Sequence, residues 1–189
     1  RDGIVEVNEP QEQEVQELIE DLKRPEGLEL EFKSSLYFPP NPEDKSISFF
    51  QIKQIEKQMA AGANSTTHRL RIYVGLKERG DGRGAEVKGI EDEFQLFGVS
   101  DSSQFLPLFN NHVLQTLSKE FLMNYEVRFV SYQGHLVMRI DVDNTSGDVV
   151  LFGSTKDLFV RINNSVHQIE SQAAVLSFIR NFQSTILTN

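Results

Sequence analysis

Glutamates around one predicted strand are the residues of this chain best placed to do chemistry. Glu29 and Glu31 alternate with Leu28, Leu30 and Phe32, so they share a strand face with side chains about 7 Å apart. Glu26 stands just before that strand, and Glu78 closes a second one. Converging carboxylates can hold Mg²⁺ or Mn²⁺ through hard oxygen ligands and, with a substrate phosphate, support metal-assisted hydrolysis. Alternating acids are also the ordinary dressing of a sheet face turned to water. Lys77 and Arg79 flank Glu78, which adds weight to the structural reading.

A second set is basic. Residues 53–88 hold eight bases (Lys53, Lys57, Arg69, Arg71, Lys77, Arg79, Arg83, Lys88) against four acids, Glu56, Glu78, Asp81 and Glu86. Such point charges suit phosphate contacts, which give affinity without sequence preference. The interleaved acids fit a mixed, solvated surface equally well. Arg161 can clamp a phosphate or pair with a core-edge carboxylate such as Glu31. Tyr73 can stack on a base or pack against a helix. Other chemistries lack their residues. The run Gly80 to Gly84 has no Gly-Lys-Ser/Thr ending to cradle nucleotide phosphates. There is no Gly-x-Ser-x-Gly elbow, and His68, His112, His135 and His167 show no ligand spacing.

The elements that must position these groups follow from apolar spacing. Val15, Leu18, Ile19 and Leu22 predict an amphipathic helix over 9–23, begun near Pro10 and ended by Pro25-Glu26-Gly27. The strand after Gly27 then has one apolar and one charged face. Tyr37 to Asp44 reads as a loop, and a helix over 46–62 starts at Ser46 or Ser48. It turns Ile52, Ile55 and Met59 inward and Lys53 and Lys57 outward. Leu70, Ile72, Val74 and Leu76 alternate in a second strand, followed by a short one near Val87. A helix over 102–121 presents Leu106, Phe109, Val113 and Leu117 inward. Residues 125–132 and 135–142 form a hairpin turning at Gln133-Gly134. A last strand carries Leu158, Val160 and Ile162, and a helix over 171–183 carries Val175, Ile179 and Phe182. This order predicts an α+β fold with a mixed central sheet flanked by helices.

Charge is unevenly spread. The net charge is −9, but residues 1–31 hold 11 acids and 3 bases, and the remainder is close to neutral. The acidic helix over 9–23 reads as an amphipathic layer docked on the body, or as a cover that competes with phosphates for a basic groove. At 189 residues the chain is long enough for one real core, and no apolar run is long enough to span a membrane. The absence of cysteine rules out disulfides and thiolate zinc sites and favours an intracellular, cytoplasmic protein. The start at Arg1-Asp2-Gly3 has neither an initiator Met nor a signal-peptide pattern, so the chain reads as a piece of a longer protein or a processed product.

Five separated stretches resemble the AlbA-like DNA-binding domain of Schlafen-type proteins. They are Glu26 to Ser35 with its Glu31-Phe32-Lys33, Ile52 to Ala60-Ala61-Gly62-Ala63-Asn64, Ile72 to Glu78, Val87-Lys88-Gly89-Ile90, and Leu158 to Ser165. Ser65-Thr66-Thr67-His68-Arg69 stands where the family usually has a Gly-Gly pair. If that pair lets backbone approach a phosphate, the contact is lost here. The resemblance implies a single AlbA-like domain over 26–189 behind an acidic helical segment over 1–25. It places Lys33, Arg71 and Lys77 on polar faces of neighbouring strands, with Lys53 and Lys57 on the adjoining helix. These five and Arg161 are the expected nucleic-acid contacts. The leading expectation is a DNA-binding module of an intracellular, transcription-regulatory protein, needing no cofactor to bind. A second is a Mg²⁺- or Mn²⁺-dependent endoribonuclease, whose catalytic and metal-ligating carboxylates fall by motif on Glu26, Glu31 and Glu78. A third is a protein-interaction module, suggested by the acidity and the first helix. DNA or structured RNA is the expected partner, and a second copy or further domains of a longer chain are expected beside it.

Overall fold

The computed structural model describes residues 9–37, 49–117 and 119–186. In chain order its elements are α1 (Glu9–Asp21), β1 (Leu30–Lys33), α2 (Phe50–Ala63), β2 (Arg69–Val74), β3 (Leu76–Glu78) and β4 (Ala85–Val87). They continue with α3 (Ser102–Thr116), β5 (Tyr125–Tyr132), β6 (His135–Asp143), β7 (Leu151–Phe152), β8 (Asp157–Ile162), β9 (Ser165–Ile169) and α4 (Gln172–Ile186). Among the described residues no helix is long and apolar enough to cross a membrane.

The central sheet has the order β1-β2-β6-β5. Only the β1–β2 pair is parallel, and parallel neighbours need a crossover, which α2 supplies. The fold is therefore α+β with a mixed sheet, as its apolar pattern requires. Alternation sends Leu70, Ile72 and Val74 of β2 and Met138, Ile140 and Val142 of β6 to one face. There they join Ile52, Ile55 and Met59 of α2 and Phe105, Phe109 and Val113 of α3. Leu30, Phe32, Tyr73, Val130 and Val137 point to the other face, onto Leu18 of α1. An isolated 13-residue helix is marginal in water, so this docking is what holds α1. Full burial of Leu18 contributes about 2 kcal/mol.

The small residues at the end of α2 have a steric and a polar reason. A side chain at Gly62 would place its Cβ 2.4 Å from that of Leu70, so only glycine lets β2 pass this close. Asn64, almost fully buried, donates to the carbonyls of Val150 and Phe159 at 2.7 and 2.9 Å and accepts from Val150 N at 2.9 Å. It thereby stitches α2 to the separate β7-β8-β9 sheet.

Several expectations are corrected. The second strand is broken at Gly75, so Leu76 leaves the α2 face and packs under α1. α3 stops at Thr116, and Glu120–Asn124 is a 3₁₀ turn. Its buried stripe runs Phe105, Phe109, Val113 at four-residue spacing, which leaves Leu106 on the flank. β9 pairs with β8, although its alternation of Val166 and Gln168 about His167 carries almost no apolar signal. The hairpin turns at Gln133-Gly134 as expected. The proposed caps Ser46 and Ser48, and nearly all of the 37–44 loop, lie outside the described residues.

Replacing Asn64 by Ala strands a buried N–H and two buried carbonyls, and each such group costs about 1–3 kcal/mol. Urea unfolding of Asn64→Ala should show a loss of roughly 3 kcal/mol with little change in the slope against urea. A loss below about 0.5 kcal/mol would contradict this role.

Candidate nucleic-acid interface and carboxylate cluster

β1 and β8 belong to different sheets, and a buried ion pair joins them. Glu31 pairs in register with Ile72 and so faces α2 rather than water. It is 2% exposed, and the Arg161 beneath it is 1% exposed. Arg161 Nη2 donates to Glu31 Oε2 at 2.7 Å, to Gly27 O at 2.7 Å and to Leu30 O at 3.1 Å. Its Nε reaches Gly27 O at 3.0 Å and its Nη1 reaches Gln58 Oε1 at 2.6 Å. The other Glu31 oxygen is bound by Lys33 Nζ. A buried charge is tolerated when its hydrogen-bonding capacity is met in this way. Of the two roles open to Arg161, pairing with Glu31 is the one its geometry has.

Glu26 folds back toward this pair, and its Oε1 accepts the Phe32 N–H at 2.7 Å. Burial pushes its carboxyl above the ordinary carboxylate range, and the negative charges of Glu31 and Glu78 push the same way. The Phe32 N–H and Lys33 oppose the shift without cancelling it. Glu26, Glu31 and Glu78 thus share one electrostatic neighbourhood, with Glu78 on its exposed rim. Their arrangement does not fit a ready divalent-metal site. Both Glu31 oxygens are held by cations, and one Glu26 oxygen caps a backbone N–H. Among the described residues no group of three or more His, Asp or Glu is placed to hold a metal ion.

The basic residues divide between the faces of the sheet. Register pairs Arg71 with Leu30 and Lys33 with Val74, so Arg71 and Lys33 face opposite ways and do not share a surface. Arg71 lies under α1, where it meets Asp21 at 2.8 Å, Asp141 at 2.8 Å and Glu17 at 3.1 Å. Burial would weaken its charge, but the hydrogen bonds to Asp21 and Asp141 outweigh that and hold its pKa above the ordinary arginine value. Arg139 and Arg128 continue the row across β6 and β5. Arg139 Nη1 forms an ion pair with Glu17 Oε2 at 2.7 Å. Arg128 reaches Glu14 at 3.4 Å. Acids three and four apart on one α1 face therefore answer three arginines on the sheet. Tyr73, fully buried, packs there with its hydroxyl 3.2 Å from Asp21. The acidic helix is a packed layer that also covers cations.

The surface cations are others. Lys53 and Lys77 are exposed, with no ion-pair partner among the described residues. Lys57 sits 4.4 Å over the Phe159 ring. Arg79, Arg83 and Lys23 are exposed and likewise unpaired among the described residues. Arg79 and Arg83 belong to the basic 53–88 segment, in its glycine-rich turn, whereas the only sequence signal for Lys23 is its place at a helix end.

A carboxyl carbon titration followed by NMR checks the shared neighbourhood. The Glu26 midpoint should lie above that of an exposed glutamate, and Glu78→Gln should lower it by removing a nearby negative charge. A Glu26 midpoint in the ordinary range, unmoved by that change, would contradict the cluster.

Comparison with known proteins extends this geometry. The family model described as Schlafen, AlbA_2 matches residues 26–170. No curated protein matches the chain. Among solved structures it is similar to the DIP2311 protein from Corynebacterium diphtheriae, at 14% identity and a TM-score of 0.49. The match covers 86% of this chain and 27% of that one, so the chain spans about a quarter of that protein's length. The family match begins at Glu26 and takes in Glu31, Asn64 and Arg161, the residues that tie the sheets and α2 together: the chain belongs to the Schlafen AlbA_2 family.

Proposed function

We propose that this chain is a nucleic-acid-binding module, working as the DNA-binding part of a regulatory protein, that meets the sugar-phosphate backbone with exposed cations of residues 53–88. Family membership suggests nucleic-acid binding or a nuclease-type function. The observation that supports binding is the set of free cations. Lys53, Lys77, Arg79 and Arg83 are exposed and carry no ion pair among the described residues, in a chain whose net charge is −9. Where acids outnumber bases, an unpaired cation is one that the surface has left available to an anion. Phosphate is the anion for which such point charges suffice.

The three carboxylates support cleavage less well, because Glu31 is held by Arg161 and Lys33. Backbone binding of this kind needs no metal and persists in a chelator. Loss of labelled RNA with Mn²⁺, abolished by Glu31→Gln in a protein that remains folded, would replace this reading with the nuclease.

Binding should be salt-dependent, with log K falling linearly against log salt concentration. For double-stranded DNA, Lys53→Gln and Lys77→Gln should each flatten the slope by about 0.9 if the lysine neutralises one phosphate. Anisotropy titration of labelled DNA at several salt concentrations measures this. No binding at low salt would contradict the proposal.

A further inference from the structure

We infer that a groove between the β3–β4 hairpin, the C-terminal end of α1 and the β5–β6 turn seats a single-stranded nucleic-acid segment. Lys23, Arg79 and Arg83 contact its phosphates and Tyr132 stacks on a base. This rests on the nucleic-acid reading above and gives it a place. The groove holds about 520 Å³, within the range of roughly 300–1,000 Å³ typical of ligand clefts. Its shape is set by a close approach of backbones. Ala85 N donates to Leu22 O at 3.0 Å, and a Cβ on Gly84 would fall 2.0 Å from that oxygen, so glycine alone admits the hairpin here. Arg79 N also bonds to Gly84 O at 2.8 Å, which closes the turn and fixes the backbone on either side of Arg83.

The charges on its walls are not balanced. Glu86 is paired with Lys88 at 2.8 Å, and His135 with Glu91 at 2.8 Å. The Leu136 N–H and His135 hold the Glu91 carboxyl down at about 2, so it stays ionised. Asp81 at the hairpin tip accepts the Arg83 backbone N–H at 3.0 Å. Lys23, Arg79 and Arg83 form no ion pair or side-chain hydrogen bond among the described residues, and all three are exposed, with Arg79 close enough to Glu86 to help lower its pKa. Three exposed cations without ion pairs thus surround a floor that includes Ile19, Leu22 and Val87, with the half-buried Tyr132 ring at its side. Cations for phosphates beside an aromatic face suit an unpaired strand, whose bases are free to stack. A duplex keeps its bases in its own stack and has no use for Tyr132.

The test is anisotropy with a labelled oligothymidine of roughly 12 nucleotides and a duplex of similar length, at about 50 and about 200 mM salt. The proteins are the parent chain and the variants Arg79→Glu/Arg83→Glu and Tyr132→Leu. The parent should prefer the single strand. The double charge reversal, at exposed positions that leave the fold intact, should weaken it by roughly tenfold or more. Tyr132→Leu keeps an apolar side chain on the floor and should cost roughly tenfold, whereas Tyr132→Phe should bind like the parent. Parent-like binding by the charge-reversed variant would overturn the groove and leave the binding module standing. Silence of the parent at low salt would overturn both. Displacement by a poly-glutamate peptide as effective as by unlabelled oligonucleotide, with Tyr132→Leu unaffected, would assign the groove to an acidic protein segment instead.

Discussion

The buried pair between Glu31 and Arg161 is the contact on which the arrangement of this protein turns. β1 is an edge strand of the central sheet, and an edge leaves backbone groups without partners. The guanidinium donates to two carbonyls beside that edge, Gly27 O and Leu30 O, the second of which also accepts the Gly27 N–H at 3.0 Å. Glu31 neutralises it from the same strand, and Gln58 ties it to α2. One side chain of β8 thus fixes the entry to β1, the crossover helix and the second sheet. Removing Glu31 would leave the guanidinium buried without a counter-charge, the costly way to break such a pair, and removing Arg161 would leave Glu31 buried with Lys33 as its remaining cation.

This frame changes what the family's residues are read to do. Glu31 and Arg161 hold the scaffold, Asn64 ties α2 to Val150 beside β7 and to Phe159 of β8, and Glu26 caps a β1 N–H through one of its oxygens. The cations available to a ligand lie on side chains that the frame does not use. α1 shows the same economy on the opposite face. Its acids neutralise Arg71, Arg139 and Arg128 while Leu18 seals the apolar surface beside them. Displacing it would expose Leu30, Phe32 and Tyr73 to water along with the arginines, which argues for a permanent layer rather than a mobile cover.

Much of this was legible in the residues. Period-two alternation in β2 and β6 and three- and four-residue spacing of Ile52, Ile55 and Met59 in α2 place the main core correctly. The Glu31-Phe32-Lys33, Ala63-Asn64 and Val160-Arg161 stretches point to the family before any geometry is known. Burial of Glu31 was not legible. Alternation says that two faces differ, but not that helices cover both, nor that β8 brings Arg161 to Glu31 on the α2 side. Arg71 and Arg79 look alike in sequence, and only contacts spanning some 50 residues, from Arg71 to Asp21, separate the engaged cation from the free one. β9 escaped notice because its pairing rests on backbone bonds, not on apolar side chains.

A double-mutant cycle on Glu31 and Arg161, read by urea unfolding with oligonucleotide binding measured on the same proteins, tests the frame most directly. The account predicts that Glu31→Gln and Arg161→Met each cost about 3 kcal/mol or more. The double variant should lose less than the sum of the two by at least about 1 kcal/mol, and the folded fraction should bind with parental affinity. Single variants within about 0.5 kcal/mol of the parent, with binding or RNA cleavage abolished, would contradict it and return Glu31 to the active chemistry of the molecule.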